Sequence, residues 1–377
     1  MNAIIPEHLI PLQKFRHLRT VSPVRFDKDS NQWSVYKYED VKTVFADYER
    51  FSSKMREPTP EEPIDASILR KDPPDHRKLR ALVSQAFTPK AVEALAPLVR
   101  SVTDRLLDEA EAKGEIDALR DFAGPLPVLI IAEMLGIPKP HIETFKRWSD
   151  ELVSPHADSY FRSQKEMSAY FADIAETRRK APQDDLISRL VAASVENERL
   201  SGLELIGFCI LLLVAGNETT TNLISSAILC LDGSEDARGK LIGNPAAVAG
   251  AVEETLRYCS PVQHMIRRVV RDTELRGQHL SAGQIVQLWI GSANHDEEAF
   301  DGPETFDIDR GPNPHLAFGH GIHFCLGSQL ARLEADIAIR ALLERFPNFA
   351  RDRSHELERM DSTIVFGVKR LPVKLRP

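Results

Sequence analysis

No two of the chain's four cysteines, Cys209, Cys230, Cys259 and Cys325, stand in a C-x-x-C pair, in zinc-finger spacing or in a signature for covalent cofactor attachment. A disulfide framework and a structural zinc site are thereby set aside. A clustered basic excess is also missing: the formal net charge is −8 and both signs are mixed along the chain, which argues against a nucleic-acid surface. Met1 to Pro11 carries charged and proline breaks and no apolar stretch ending at a small-residue cleavage site, so the sequence predicts a cytoplasmic protein. Long hydrophobic runs are missing too. The longest, Leu203 to Gly216, already contains Glu204 and falls short of the roughly 20 residues that cross a bilayer. It predicts a buried helix and no transmembrane segment. There is no internal repeat, low-complexity tract or linker, so residues 1–377 are expected to form a single domain.

What is present is an ordinary globular composition, 42% hydrophobic and 28% charged, enough for an extensive core. Trp33 to Tyr38 alternates like a strand and Glu39 to Tyr48 takes helical spacing, so a strand feeding a helix should open the fold. Five prolines between Phe51 and Pro74 predict an irregular loop, because proline lacks a backbone donor and biases its predecessor away from helix. From Asp75 to about Asp232 the helical period dominates. Breaks are expected near Thr88-Pro89, Gly114, Gly124-Pro125, Gly136 to Pro140, Ser154-Pro155, Ala181-Pro182 and Ser201-Gly202. After Arg257 come short strand-like pieces such as Gln284 to Ile290, with turns at Arg276-Gly277 and Ala282-Gly283. A coil covers Asp296 to Pro314, and a last helix runs from about Leu326 to Phe346. The reading is a mainly α fold with a minor β-sheet.

The most informative stretch is Phe318-Gly319-His320-Gly321-Ile322-His323-Phe324-Cys325-Leu326-Gly327. Glycines flank one cysteine directly before a strong helical period. Glycine permits conformations and contacts closed to residues with a Cβ, which suits a loop laid against a flat cofactor. A helix starting after Cys325 would aim free amides and its positive dipole end at the sulfur, favouring the thiolate. A lone cysteine is ordinarily a small buried hydrophobe, but the F-G-x-G-x-H-x-C-x-G spacing resembles the haem-binding loop of the cytochromes P450. The resemblance implies that fold, with haem between a long central oxygen-binding helix and the cysteine-loop helix. It implies Cys325 as axial iron ligand, with His323 at a haem propionate and Phe318 and Gly327 packed at the loop.

Four other segments resemble the same family. Ala215-Gly216-Asn217-Glu218-Thr219-Thr220 interrupts an apolar helix with an acid and hydroxyls, a costly arrangement unless those groups have partners or work to do; a local break of the helix is expected there. The resemblance makes Glu218 and Thr219 a proton relay in dioxygen activation, with Ala215 at the cofactor. Glu254 and Arg257 stand three apart on one helical face, a spacing common in surface ion pairs; they resemble the family's structural E-x-x-R pair, joined by Arg310. Asp72 to Arg80 starts a helix with proline and acid and puts His76 and Arg80 four apart, so both could reach one anion. By resemblance these bind a propionate, as does Arg267 or its neighbour Arg268. Charge-assisted hydrogen bonds to two carboxylates would help hold noncovalent haem b.

The resemblance runs from Trp33 to the final helix and implies a haem-thiolate monooxygenase that inserts one oxygen atom from O2 into a small apolar organic substrate. With no nicotinamide or flavin module in the chain, the implied electron donor is a ferredoxin with its reductase. A peroxide-driven peroxygenase should lack the Glu218–Thr219 pair, and in a non-catalytic haem sensor or carrier the polar interruption would have no purpose. Ile64, Leu69, Leu211, Val214, Val262, Met265 and Ile266 are the expected pocket residues. They suit a fatty acid, terpenoid or steroid, with a lean towards fatty acids from the resemblance.

Overall fold

The computed structural model describes residues 4–60, 62–153, 157–195 and 198–376. Among the described residues helices dominate, with three small sheets and connecting turns and coil. The chain forms two compact units: residues 1–51, 99–126 and 219–377 in the first, and 52–98 and 127–218 in the second.

The first unit carries the sheets. The largest has the strand order Val24–Asp27, Gln32–Val35, Ile285–Trp289, His264–Val269, with Phe51–Ser52 at the far edge. Trp33 pairs in parallel with Val286, and Arg267 pairs antiparallel with the same Val286. Val35, Val286 and Leu288 are fully buried, packing with Val41, Val44 and Phe45 of the helix Tyr38–Ala46. This core seats the sheet against the elements that carry the candidate site. The predicted opening needs correction: the helix Leu12–Val21 and the strand Val24–Asp27 precede Gln32–Val35. That helix buries only Leu12, Phe15, Leu18 and Arg19, a short stripe set by packing more than by local period. At Arg276-Gly277 both residues have positive φ, 50° and 72°, the geometry that closes a two-residue hairpin between Thr273–Leu275 and Gln278–Leu280. The last helix is Ser328–Arg345, inside the expected span.

The second unit is helical. Thr88 caps Pro89–Glu93 by accepting from Ala91 N at 3.2 Å. An aromatic cluster of Phe145, Trp148, Tyr170 and Phe171 holds Ile142–Val153 against Ala157–Lys180, with ring centroids 5.3 to 5.8 Å apart. The expected breaks at Gly114, Gly136, Ala181 and Ser201 fall where helices end or begin; the one at Ser154-Pro155 lies outside the described residues.

The helix Gly202–Gly233 begins with a reciprocal cap: Glu204 N donates to Ser201 Oγ at 3.2 Å and Ser201 N to Glu204 Oε2 at 2.8 Å, a capping box that satisfies two amides otherwise left without partners. Its 32 residues exceed the apolar run read from the sequence, and by length and composition it could cross a bilayer. Thr220, Asn222, Ser225 and Ser226 are nevertheless buried along it, as in a core helix whose polar groups have protein partners. The predicted local break near Ala215 to Thr220 does not occur. Asn217 Nδ2 donates to Ser149 Oγ and Thr221 Oγ1 to Ala123 O at 3.3 Å, so polar side chains find partners outside the helix and the backbone ladder stays intact.

Candidate active site

In the first unit, Gly319 and Gly321 take φ of +72° and +71°, a region open to glycine and strained for residues with a Cβ. They turn the chain so that Cys325 N donates to Phe318 O at 2.9 Å and Phe324 N to Gly321 O at 3.1 Å. Cys325 is half-buried. Three residues later Ser328 starts an 18-residue helix whose N-cap, Gly327, offers no side-chain cap. The first-turn amides and the dipole of this helix therefore favour negative charge at its start.

Phe45 organises the loop. A Cβ on Gly321 would stand 3.1 Å from Phe45 O and 3.2 Å from Ala46 Cα, so only glycine lets the loop lie this close to the helix Tyr38–Ala46. The Arg267 guanidinium lies 5.2 Å from the centre of the Phe45 ring, a cation–π contact. Arg267 is buried and its Nη1 donates to Ile266 O at 2.9 Å. Strand alternation puts it on the face of Met265 and Val269 and puts Arg268 on the other. Phe45 thus brings Arg267 and the cysteine loop together; His323 sits half-buried in that loop.

Phe318 is held from beyond the loop. The Arg332 guanidinium lies 4.6 Å from the centre of its ring and is clamped by Glu253 at 2.6 and 2.9 Å, while His315 Nε2 lies 3.2 Å from the same carboxylate. Burial alone would raise the pKa of Glu253, but the hydrogen bonds from Arg332 and His315 and their positive charges hold it down at about 2. Sequence reading missed this cluster and Phe45. Arg332 stands about one turn into the helix that begins at Ser328, and no local pattern marks its partner.

Glu254 and Arg257 are fully buried, not a surface pair. Arg257 Nε and Nη2 donate to Glu254 at 2.8 and 2.7 Å. Asp307 N, Asn313 Nδ2 and Arg310 Nε donate to the same carboxylate at 2.9, 3.1 and 3.2 Å. The network ties the helix Val248–Cys259 to the coil that leads into the cysteine loop. Val262, Met265 and Ile266 are half-buried on and beside the strand His264–Val269.

In the second unit, His76 is buried and Arg80 half-buried on one face of the helix Asp75–Ser84. Asp72, also missed, fixes the approach to that helix by accepting from Ser52 Oγ and from Ser53 N at 3.1 Å. Ile64 and Leu69 lie in two short 3-10 turns, Pro63–Ala66 and Ile68–Arg70. A Cβ on Gly207 would come 2.0 Å from Pro63 O, so the first turn packs on the long helix one turn before Leu211. Along that helix Leu213, Asn217 and Thr220 are buried, Ala215 is exposed, and Leu211, Val214, Glu218 and Thr219 are half-buried. Their spacing of three and four residues makes one accessible face, apolar at one end and proton-bearing at the other.

The donor set fits a thiolate-held haem. It comprises one half-buried soft sulfur at a helix start and a buried cation beside the same loop.

The family model for Cytochrome P450 matches residues 247–376. The chain is 48% identical to Cytochrome P450 109 of Bacillus spizizenii, over 98% of this chain and 93% of that one. It is 38% identical to the vitamin D(3) 25-hydroxylase of Pseudonocardia autotrophica, over 97% and 94%. The crystal structure of CYP109E1 from Bacillus megaterium in complex with testosterone matches with a TM-score of 0.94 at 40% identity, over 98% and 99%.

Proposed function

Because the chain belongs to the cytochrome P450 family, we propose that it is a monooxygenase in which Cys325 holds a noncovalent haem b and that it hydroxylates an apolar substrate of steroid or secosteroid class. The observation that carries this reading is the half-buried Cys325 thiol in a glycine loop at the start of an 18-residue helix. When bound, haem supplies the redox and oxygen-activating chemistry.

The chain's own residues supply the rest. The helix start after Cys325 keeps its sulfur as thiolate, and Phe318, fixed by Arg332, shields that sulfur from water. Arg267, His323, His76 and Arg80 bind the propionates, with Phe45 setting the direction of Arg267. Glu218 carries a proton on its carboxyl and Thr219 passes one through its Oγ1, both on the accessible face of the long helix. Glu254, Arg257 and Arg310 act structurally. Ile64, Leu69, Leu211, Val214, Val262, Met265 and Ile266 orient the substrate and exclude water. Electrons come from a ferredoxin and its reductase, and the 377 residues work as one cytoplasmic catalytic domain, a reading supported by relatives matched end to end.

Among the three substrate classes, steroids and secosteroids come first because one relative is named for vitamin D(3) hydroxylation and a solved neighbour holds testosterone. The test is titration of the haem-loaded ferric protein with testosterone and vitamin D3, followed by turnover under 18O2. One labelled oxygen in the product, with turnover supported better by reductant than by peroxide, is expected. Turnover by peroxide alone would favour the peroxygenase, and no product from any reducible, substrate-shifted complex would leave a haem sensor or carrier.

A further inference from the structure

Away from the cysteine loop, the first unit contains a cavity of about 480 Å³ lined by Pro11, Phe15, Tyr36, Trp289, Arg359 and Thr363, among others. None of its lining residues belongs to the cysteine loop or to the face of the long helix. Its volume lies in the range of about 300 to 1,000 Å³ that accepts small organic ligands. Its floor is aromatic. Tyr36 and Trp289 stack with ring centroids 6.0 Å apart and planes 10° from parallel, and Phe15 leans on Trp289 at 5.6 Å. Trp289 Nε1 donates to Ser34 Oγ at 3.2 Å, which fixes the ring.

The charges around this floor do not balance. Lys14 and Arg359 line it, and among the described residues neither pairs with an acid. The one acid in the lining, Asp361, already meets Lys369 Nζ at 3.0 Å. Arg359 donates from Nη1 to Leu9 O at 3.3 Å, and its shielded Nε has no partner among the described residues. Burial lowers the pKa of Arg359, as expected for a guanidinium without a countercharge. A half-buried guanidinium without an acid partner, beside an aromatic wall, is complementary to an anion on an apolar ring body.

We propose that this cavity is a second ligand site, which binds a small organic monocarboxylate with a flat ring body, the rings on Tyr36 and Trp289 and the carboxylate at Arg359 and Lys14. The site does not depend on the haem chemistry. The test is calorimetric titration of the haem-loaded protein with naphthalene-2-carboxylate, with 2-naphthylmethanol as uncharged isostere and the Soret band followed in parallel. The carboxylate is expected to bind once per chain without moving the Soret band. Arg359→Gln, or the exposed change Lys14→Glu should Arg359→Gln fail to fold, is expected to raise Kd about tenfold or more, as loss of a charge-assisted contact would, and the isostere should bind as weakly. Four results would each overturn the proposal: no binding up to about millimolar concentration, equal affinity for the isostere, unchanged affinity in the folded variants, or a Soret shift that tracks the heat.

Discussion

Glu254→Ala removes a carboxylate that accepts hydrogen bonds from Arg257, Arg310, Asp307 and Asn313 in a fully buried position. Arg257 would keep only the backbone oxygens of Asn294, Pro303 and Thr305, at 2.9, 2.8 and 3.0 Å, and no countercharge. Breaking one side of a buried pair costs about 3–5 kcal/mol. The part-buried Asp307 amide also loses its acceptor, which adds about 1 kcal/mol. Domains are stable by about 5–15 kcal/mol, so the variant should lose a large share of its stability and retain little haem. Glu254→Gln keeps the shape and one acceptor and should lose less. Glu254→Leu combined with Arg257→Met, which removes both charges, should recover part of the loss. Urea titration followed by far-ultraviolet circular dichroism, with haem counted per chain, measures all three. Haem-replete Glu254→Ala protein within about 1 kcal/mol of the parent, a change typical of exposed ion pairs, would refute the reasoning.

Thr219→Ala should retain haem and substrate binding but divert reducing equivalents to hydrogen peroxide, read as a fall in product per reductant consumed. Arg267→Gln should speed haem loss to an apo-globin acceptor by about tenfold, as loss of a charge-assisted hydrogen bond would, and Arg268→Gln should change it much less, because Arg267 lies over Phe45 and Arg268 is on the other face of the strand. Glu253 has a folded pKa of about 2 against an ordinary 4.5, so its ionisation contributes stability above about pH 4.5 that is lost as pH falls towards 2. Arg332→Gln should therefore lower the urea midpoint at pH 6, and the gap from the parent should narrow at pH 3.

The cysteine loop could be read directly because its glycines and helix start are local features; φ of +72° and +71° at Gly319 and Gly321 is what such residues permit. The strand near Gln284 and the hairpin at Arg276-Gly277 carried local signals of the same kind. Phe45, Asp72 and the Glu253–Arg332–His315 cluster did not, since each gains its role from a partner distant in sequence. Strands as short as Ala350–Arg351, which pairs with Pro372–Lys374, have no period to detect. The unbroken long helix misled for a related reason: the polar run Ala215 to Thr220 looks like a helix break in sequence, and only distant partners such as Ser149 for Asn217 show where polar groups of this stretch go.

The central claim is the bond between Cys325 and iron. The absorption spectrum of the purified, haem-loaded protein, reduced under carbon monoxide, tests it most directly, with Cys325→Ala measured beside it. The account predicts the red-shifted Soret band of thiolate ligation in the parent and its loss in the variant. A histidine-type band in well-folded parent protein, or a red-shifted band that survives Cys325→Ala, would contradict it.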